Sequence, residues 1–250
     1  MAWSVFNSLN MGAGNKTASM SLSSTGNSIG AAIGEVVFIQ VVKDNASTTN
    51  GETNEVTSVT DSVGNTYTKI KEWCNSRGSA NAGTVVALFY TVVTATIATT
   101  TTHTANFSAS TAAKTMIGFA FRVNAGSTVS VQDTPATTTA NNSTNPGSLD
   151  VTTPNAEFLR LRVIGAETSD FNPNTITSGW GTLAEGETSG GASHTNQGNR
   201  GEIIIYTGTN NASAPALNSN ADSASIYVAM KENLASATNP GGWLGKGGWF

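Results

Sequence analysis

The sequence predicts an all-β protein, an antiparallel β-sandwich or jelly-roll-like single domain, and three observations lead to this. Hydrophobic residues alternate along most apolar segments, which is the spacing that places every second side chain on one face of a sheet. The segments are short, rich in Val, Ile, Thr, Phe and Tyr, and separated by loops of Gly, Ser, Thr, Asn, Ala and Pro. No segment of helical length carries a helical stripe, and no fixed-period repeat indicates a propeller or solenoid.

The predicted elements differ in how they are covered. Residues 1–33 contain Trp3 and then a polar stretch, so they form an N-terminal arm or an edge strand. Residues 34–44 are apolar at both odd-numbered and even-numbered positions over much of their length, which predicts a central strand covered on both faces. The pattern of residues 66–73 indicates a half-exposed strand. Eight further strands are predicted at residues 84–93, 102–108, 115–123, 127–134, 149–153, 157–166, 202–208 and 225–231. Loops are predicted at residues 75–83, 135–147, 168–179 and 186–201.

The sandwich domain is expected to span residues 34–233, followed by a Gly- and Trp-rich C-terminal arm at 234–250. The arm carries four large apolar residues, Trp243, Leu244, Trp249 and Phe250. Large aromatic rings gain much free energy on burial, so an isolated tail would not keep them in water. The arm either folds back on its own sandwich, anchors in a neighbouring subunit, or is disordered.

Charge and composition exclude several classes of function. Only 11% of the residues are charged, and the 12 basic and 16 acidic residues leave a net charge of −4. No basic stripe is present to neutralise a row of phosphates, so nucleic acid is not an expected partner. No apolar run is long enough to cross a bilayer, and the first residues lack the pattern of a signal peptide. The single cysteine, Cys74, is expected to be a small buried residue without a disulfide partner.

The most specific local pattern is Ser58-Val-Thr-Asp-Ser-Val-Gly-Asn-Thr-Tyr-Thr68. It predicts a strand that ends at Asp61, a turn, and a second strand that begins near residue 66. In the turn, Gly64 can take a positive φ, and the Asp61 carboxylate can accept hydrogen bonds from the amides that follow, up to Asn65. We expect these three residues to form a structural turn.

This pattern resembles the Val-Thr-Asp-x-x-Gly-Asn-Thr-Tyr-Thr signature of β-sandwich modules in phage virion proteins and secreted bacterial proteins. The resemblance extends to Val85-Val-Ala-Leu-Phe-Tyr90, to a Thr-rich segment at 100–107, to Thr152-Thr-Pro-Asn-Ala-Glu-Phe-Leu159 and to Ser178-Gly-Trp180. It covers about residues 30–231 and departs from the group at Phe121-Arg-Val-Asn124, where members carry Glu-Tyr-Ser-Gly. It implies a β-sandwich, and it implies no catalytic residues, because no reaction unites the group.

A catalytic site needs several titratable groups that converge, and the sequence offers few. His103 is expected on a solvated strand face. His194 lies in a polar loop and could approach Glu185 and Glu187, which share a sheet face and could form a two-carboxylate hydrolase site. Exposed glutamates beside a polar loop are more often without a catalytic role, so we expect no enzyme activity.

Calcium and a sugar are the remaining small-ligand candidates. Asp61 with Asn65, and a second loop with Asp170, Asn172 and Asn174, offer oxygen donors, although neither has the charge density of a calcium cage. No cofactor or metal is therefore expected. Trp180 lies in a Gly-rich turn, where it either closes the open end of the sandwich or stacks on a glycan.

These observations favour a non-enzymatic phage virion protein, most of all a capsid-decorating (cement) protein that binds the capsid shell through its arms. Within the same class, a tail or fibre component is the next most favoured assignment. The expected partners are further copies of the chain, with a trimer plausible, and a major capsid or other virion protein, in a particle assembled in the host cytoplasm. The alternative is a carbohydrate-binding or adhesive module of a secreted or surface protein, with a host glycan as ligand.

Overall fold

A computed structural model describes residues 3–25, 30–147, 151–152, 154–168, 179–188, 196–208, 210–211 and 216–234. Within these ranges, residues 4–13, 151–152, 182–184 and 210–211 are described by their backbone alone. The four apolar residues of the predicted C-terminal arm, Trp243, Leu244, Trp249 and Phe250, lie outside the described residues, as does His194.

The described chain consists of short antiparallel strands, which confirms the predicted all-β sandwich class. The strands are β1 (Ser4–Asn15), β2 (Ser19–Ser24), β3 (Val36–Asp44), β4 (Val56–Asp61), β5 (Thr68–Asn75), β6 (Thr84–Val92), β7 (His103–Thr111), β8 (Lys114–Arg122), β9 (Thr128–Val131), β10 (Ala136–Ser143), β11 (Val151–Thr152), β12 (Glu157–Ala166), β13 (Gly181–Glu187), β14 (Gly198–Thr207), β15 (Asn210–Asn211) and β16 (Ala221–Asn233). No described segment forms a helix that is long and apolar enough to span a membrane.

The strands form three main sheets. The central sheet has the order β1-β8-β3-β6-β5. The large outer sheet has the order β10-β16-β12-β14-β13, with β9 paired to β16, and the small outer sheet has the order β2-β7-β4. A two-stranded ladder joins β11 to β15.

The central sheet is covered on both faces. Val37, Ile39 and Val41 of β3 belong to the apolar core shared with the small outer sheet. The neighbouring Val36 and Phe38 belong to the core shared with the large outer sheet. Every residue of β3 is buried, as the apolar pattern of residues 34–44 predicts. The molecule is therefore a three-layer arrangement of sheets, with one layer more than a simple sandwich.

The N-terminal residues belong to the body of the protein. In the described part of residues 1–33, β1 pairs with β8 at the edge of the central sheet, and β2 pairs with β7 in the small outer sheet. Trp3 is 1% exposed and meets the Phe121 ring edge-on, with 6.4 Å between the ring centres.

Two of the predicted loops are wrong. Residues 135–147 contain β10, whose Thr- and Ala-rich residues pair with β16 at the edge of the large outer sheet. Residues 186–201 contain the first part of β14, since that strand already begins at Gly198. Both segments carry small and polar residues that follow no apolar pattern. Their strand conformation comes from pairing with an apolar neighbour rather than from local propensity.

Candidate functional site

The Asp61 turn has the geometry that its sequence predicts. The Asp61 Oδ1 atom accepts hydrogen bonds from the backbone N–H groups of Val63, Gly64 and Asn65 at 3.1, 2.7 and 3.0 Å. Gly64 has a φ of +90°, a conformation that favours glycine. The second carboxylate oxygen accepts from the Asn65 amide at 2.8 Å and from the Tyr67 hydroxyl at 3.2 Å.

Asn65 links this turn to the segment that follows β6. Its side-chain oxygen accepts hydrogen bonds from the backbone N–H groups of Thr94 and Ala95 at 2.8 and 2.9 Å, while its amide donates to the Ala95 carbonyl at 2.9 Å. Both Asp61 oxygens are thus occupied by donors of the protein. The turn therefore holds the small outer sheet to the central sheet, and its carboxylate is already engaged by the protein's own hydrogen-bond donors.

His103 is buried, with 0% exposure, so the expected solvated position is wrong. The residue lies on the inner face of β7, where its ring meets the Tyr67 ring edge-on at 6.1 Å. Burial lowers the pKa of His103, which keeps the ring neutral. Cys74 is buried as expected, and burial raises the pKa of its thiol to about 12, so the thiolate form is suppressed.

The two glutamates of the candidate carboxylate pair have different neighbours in the β13–β14 ladder. Glu185 lies opposite Arg200 in the β13–β14 ladder, and its Oε1 atom is 2.8 Å from Arg200 Nη1. The same arginine places Nε 3.3 Å from Glu202 Oε1. Glu185 is thus neutralised by an arginine, while Glu187 faces Gly198 at the end of the ladder.

Sequence reasoning missed a row of buried charges on the face of the large outer sheet that points away from the central sheet. Arg160 and Arg162 alternate in β12 with inward-facing leucines, and Arg162 pairs in register with Glu202. Arg162 donates to the Gly147 carbonyl at 2.7 Å, and Arg160 lies 4.9 Å from the centre of the Tyr206 ring. The signal was present, because two arginines at i and i+2 in an apolar strand must share one face.

Trp180 is buried rather than displayed. It is 7% exposed, and its ring meets the Tyr227 ring at 6.2 Å in a small apolar cluster with Phe158 and Ala229. A sugar needs an accessible aromatic face for stacking, so this packing disfavours a glycan on Trp180. The cluster lies on the face of the large outer sheet that points away from the central sheet, so Trp180 packs against that face and does not close the space between the sheets.

The outer face of the small outer sheet is a layer of neutral polar groups. Ser23 contacts Thr104 at 2.8 Å, Thr25 contacts Thr102 at 2.9 Å, and the Asn106 amide donates to the Ser58 hydroxyl at 3.0 Å. These side chains come from three neighbouring segments and carry no charge. The face can make many weak hydrogen bonds with a neighbour or with water.

The described surface has few apolar side chains and small cavities. Its exposed large hydrophobic residues are Met20, Ile33, Val63, Tyr206 and Leu234. Three shallow cavities have volumes of about 260, 330 and 390 Å³. Within the described ranges, no group of three or more His, Cys, Asp or Glu side chains could hold a metal ion.

Comparisons with known proteins identify no family. No protein-family model matches the chain, and no curated protein is similar to it. Among solved structures, the chain is similar to the major capsid protein P2 from bacteriophage PM2, with a TM-score of 0.25 and 11% identity over 95% of this chain and 98% of that chain. A TM-score this low carries no argument about function.

Proposed function

We propose that the protein is a non-enzymatic structural component of a phage virion, and in particular a capsid-decorating protein. The observation that carries the proposal is the apolar character of the residues that follow β16. Leu234 follows β16 and is 66% exposed, and the residues beyond it include Trp243, Leu244, Trp249 and Phe250. An apolar segment attached to a polar β-body is suited to bury its aromatic residues against a neighbouring subunit.

The body supports an assembly role through its layered construction. Its central sheet is buried on both faces, and its N-terminal strand is part of that sheet. We expect such a body to present fixed surfaces to neighbouring subunits. Because β1 pairs within its own chain, we assign the docking role to the C-terminal residues and not to the N-terminal ones.

We place the protein in closed homo-oligomers, with a trimer as the simplest case, seated on a major capsid protein or another virion protein. The site of assembly is the host cytoplasm. The signature around Asp61 resembles modules of phage virion proteins and of secreted bacterial proteins, so it fits this class as well as the alternative, whereas the thinly charged surface supports the virion class. A component of a phage tail or fibre would use the same C-terminal arm and the same folded body, so this position is the next candidate within the virion.

A second candidate is a carbohydrate-binding or adhesive module. The neutral hydroxyl face of the small outer sheet favours it, because Ser23, Thr104 and Asn106 are groups that hydrogen-bond to sugars. Against it stands the lack of an exposed aromatic row. Among the exposed large hydrophobic residues of the described chain, Tyr206 is the one aromatic, and Trp180 is buried.

Immunogold electron microscopy separates the two candidates. Antibodies against the folded body are applied to particles purified from lysed host cells, and to particles stripped of surface proteins by chaotrope. Regular labelling of intact particles, lost on stripping, is the result expected of a decorating protein. Unlabelled particles, with the protein free in the lysate and positive on a glycan array, would instead establish the carbohydrate-binding alternative.

A further inference from the structure

One cavity joins the central sheet to the large outer sheet and is lined by carboxylates. It has a volume of about 390 Å³ and is lined by Arg77, Ser79, Asn81, Ala82, Glu167 and Asp222. Arg77 to Ala82 belong to the loop between β5 and β6, Glu167 follows β12, and Asp222 lies at the start of β16. The cavity thus lies where a loop of one sheet meets the ends of two strands of another.

Glu167 and Asp222 are neighbours across the ladder. The Glu167 backbone N–H donates to the Asp222 carbonyl at 2.8 Å, directly beyond the paired residues Ala166 and Ser223. Acidic side chains at such facing positions repel one another unless a positive charge lies between them.

The hydrogen bonds of the two carboxylates are unequal. Asp222 Oδ1 accepts from Arg77 Nη1 at 2.8 Å and from the Asn142 backbone N–H at 2.8 Å. The Glu167 side chain lies in a residue that is only 7% exposed, and no described group donates a hydrogen bond to its carboxylate or forms an ion pair with it. A carboxylate in so confined a position, to which no described protein group donates, favours a positively charged ligand or a proton beside it.

The surrounding charges also favour a positively charged ligand or a proton at Glu167. Burial first, and then the charges of Asp222 and Asp44, raise the pKa of Glu167 to about 8, while the charge of Arg77 acts in the opposite direction. The arginine is engaged with Asp222, and its side chain keeps 39% exposure, so it can turn toward solvent. With both carboxylates ionised, the cavity holds more negative than positive charge.

We propose that this cavity binds a divalent cation, with Ca²⁺ as the preferred ion, between the carboxylates of Glu167 and Asp222. The donors available there are oxygens, namely the two carboxylates, the Ser79 hydroxyl and the Asn81 amide, with water completing the shell. Ca²⁺ accepts such irregular oxygen sets, whereas Mg²⁺ requires a near-ideal octahedron. The bound ion links the loop after β5 to the ends of β12 and β16, which fastens two layers together.

Isothermal titration calorimetry of the full chain with CaCl₂ and with MgCl₂ tests the site. We expect one Ca²⁺ ion per chain, weaker binding of Mg²⁺, and tighter Ca²⁺ binding at pH 8.5 than at pH 6.5, because the ion displaces a proton from Glu167. Glu167→Gln should weaken the Ca²⁺ affinity at least tenfold. The matched control is Asp133→Asn, which removes an exposed carboxylate elsewhere and should leave the affinity unchanged.

A second variant tests the site without removing a ligand. Arg77→Gln removes the competing cation and should tighten Ca²⁺ binding. Circular dichroism confirms that each variant is folded. The proposal is overturned if the parent chain binds no Ca²⁺, or if Glu167→Gln binds it as tightly as the parent. The outcome is independent of the proposed virion role, since the cavity lies in the folded body.

Discussion

The Asn65 amide donates a hydrogen bond to Asp61 Oδ2 at 2.8 Å, and the oxygen of the same side chain accepts from two amides after β6. One pair of residues thereby closes a turn at the end of the small outer sheet and ties it to the central sheet. The contact explains in physical terms why the pattern around residue 61 contains Asp, Gly and Asn at fixed spacing.

Loss of the Asp61 carboxylate should destabilise the fold. Asp61→Ala leaves three backbone N–H groups and the Asn65 amide without their acceptor. Hydrogen bonds to charged groups contribute about 1.5–3 kcal/mol each, and water replaces part of that at this half-buried turn, so we expect a loss of about 2 kcal/mol. Urea unfolding measures it, with Asp133→Asn as the control. Equal midpoints for both variants would show that the turn does not stabilise the fold.

Substitution of Gly64 should destabilise the fold because of its backbone conformation alone. Its φ is +90°, and an added Cβ would meet nothing within 4 Å, so there is no steric clash to confuse the result. Gly64→Val should cost about 1 kcal/mol or more. Gly181→Ala is the control, because an added Cβ there meets Ile203 at an ordinary 3.9 Å without a positive φ. A thermal midpoint unchanged by Gly64→Val contradicts the turn geometry.

Trp180 should act as a packing residue. Trp180→Ala removes the edge-on contact with Tyr227 and leaves a hole in the apolar cluster with Phe158, so we expect a loss of about 3 kcal/mol or more. Trp180→Phe should recover part of that loss. Calorimetric melting of both variants measures these losses. A melting curve for Trp180→Ala that overlays that of the parent would contradict a packing role for Trp180.

Glu167 should make the fold less stable as the pH rises. The pKa of Glu167 is raised from 4.5 to about 8 in the folded state, mainly by burial and then by Asp222 and Asp44, so the folded protein holds this proton more tightly than the unfolded chain does. The resulting stability is complete below about pH 4.5 and is lost as the pH rises through about 8.

Glu167→Gln tests this pH dependence because glutamine stays neutral. In buffers with EDTA, the variant should equal the parent near pH 4.5 and exceed it at pH 9 by at least about 1 kcal/mol of unfolding free energy. Denaturant unfolding across this pH range measures the difference, which removes the contributions of all other groups. A difference that does not change with pH would show that Glu167 titrates normally.

The sequence predicts the strands that carry a strong apolar pattern. The pattern of residues 34–44 predicts a strand covered on both faces, and every residue of β3 is buried. The strand predicted at residues 157–166 coincides with β12. Strand β10 could not be found, because Thr and Asn predict loops as readily as edge strands, and its conformation depends on pairing with β16. The third layer was equally hidden, since a doubly covered strand does not reveal what covers it.

The candidate sites, like the strands, include features that follow from local sequence and features that depend on which strands pair. The Asp61 turn was predictable because its hydrogen bonds are local. The burial of His103 and the contact of Glu185 with Arg200 depend on which strands pair, and spacing along the chain does not contain that information. The Glu167 cavity was missed for this reason, because Glu167, Asp222 and Arg77 meet only after two sheets have packed.

The native mass of the purified protein, with and without residues 243–250, tests the central claim most directly. Light scattering on a sizing column should show a discrete oligomer for the full chain and a monomer for the shortened chain, with the thermal midpoint of the body unchanged. A control variant, Lys246→Ser, alters the arm without removing its aromatic residues and should keep the oligomer. The same native mass per chain for the full and shortened proteins would contradict assembly through the C-terminal arm.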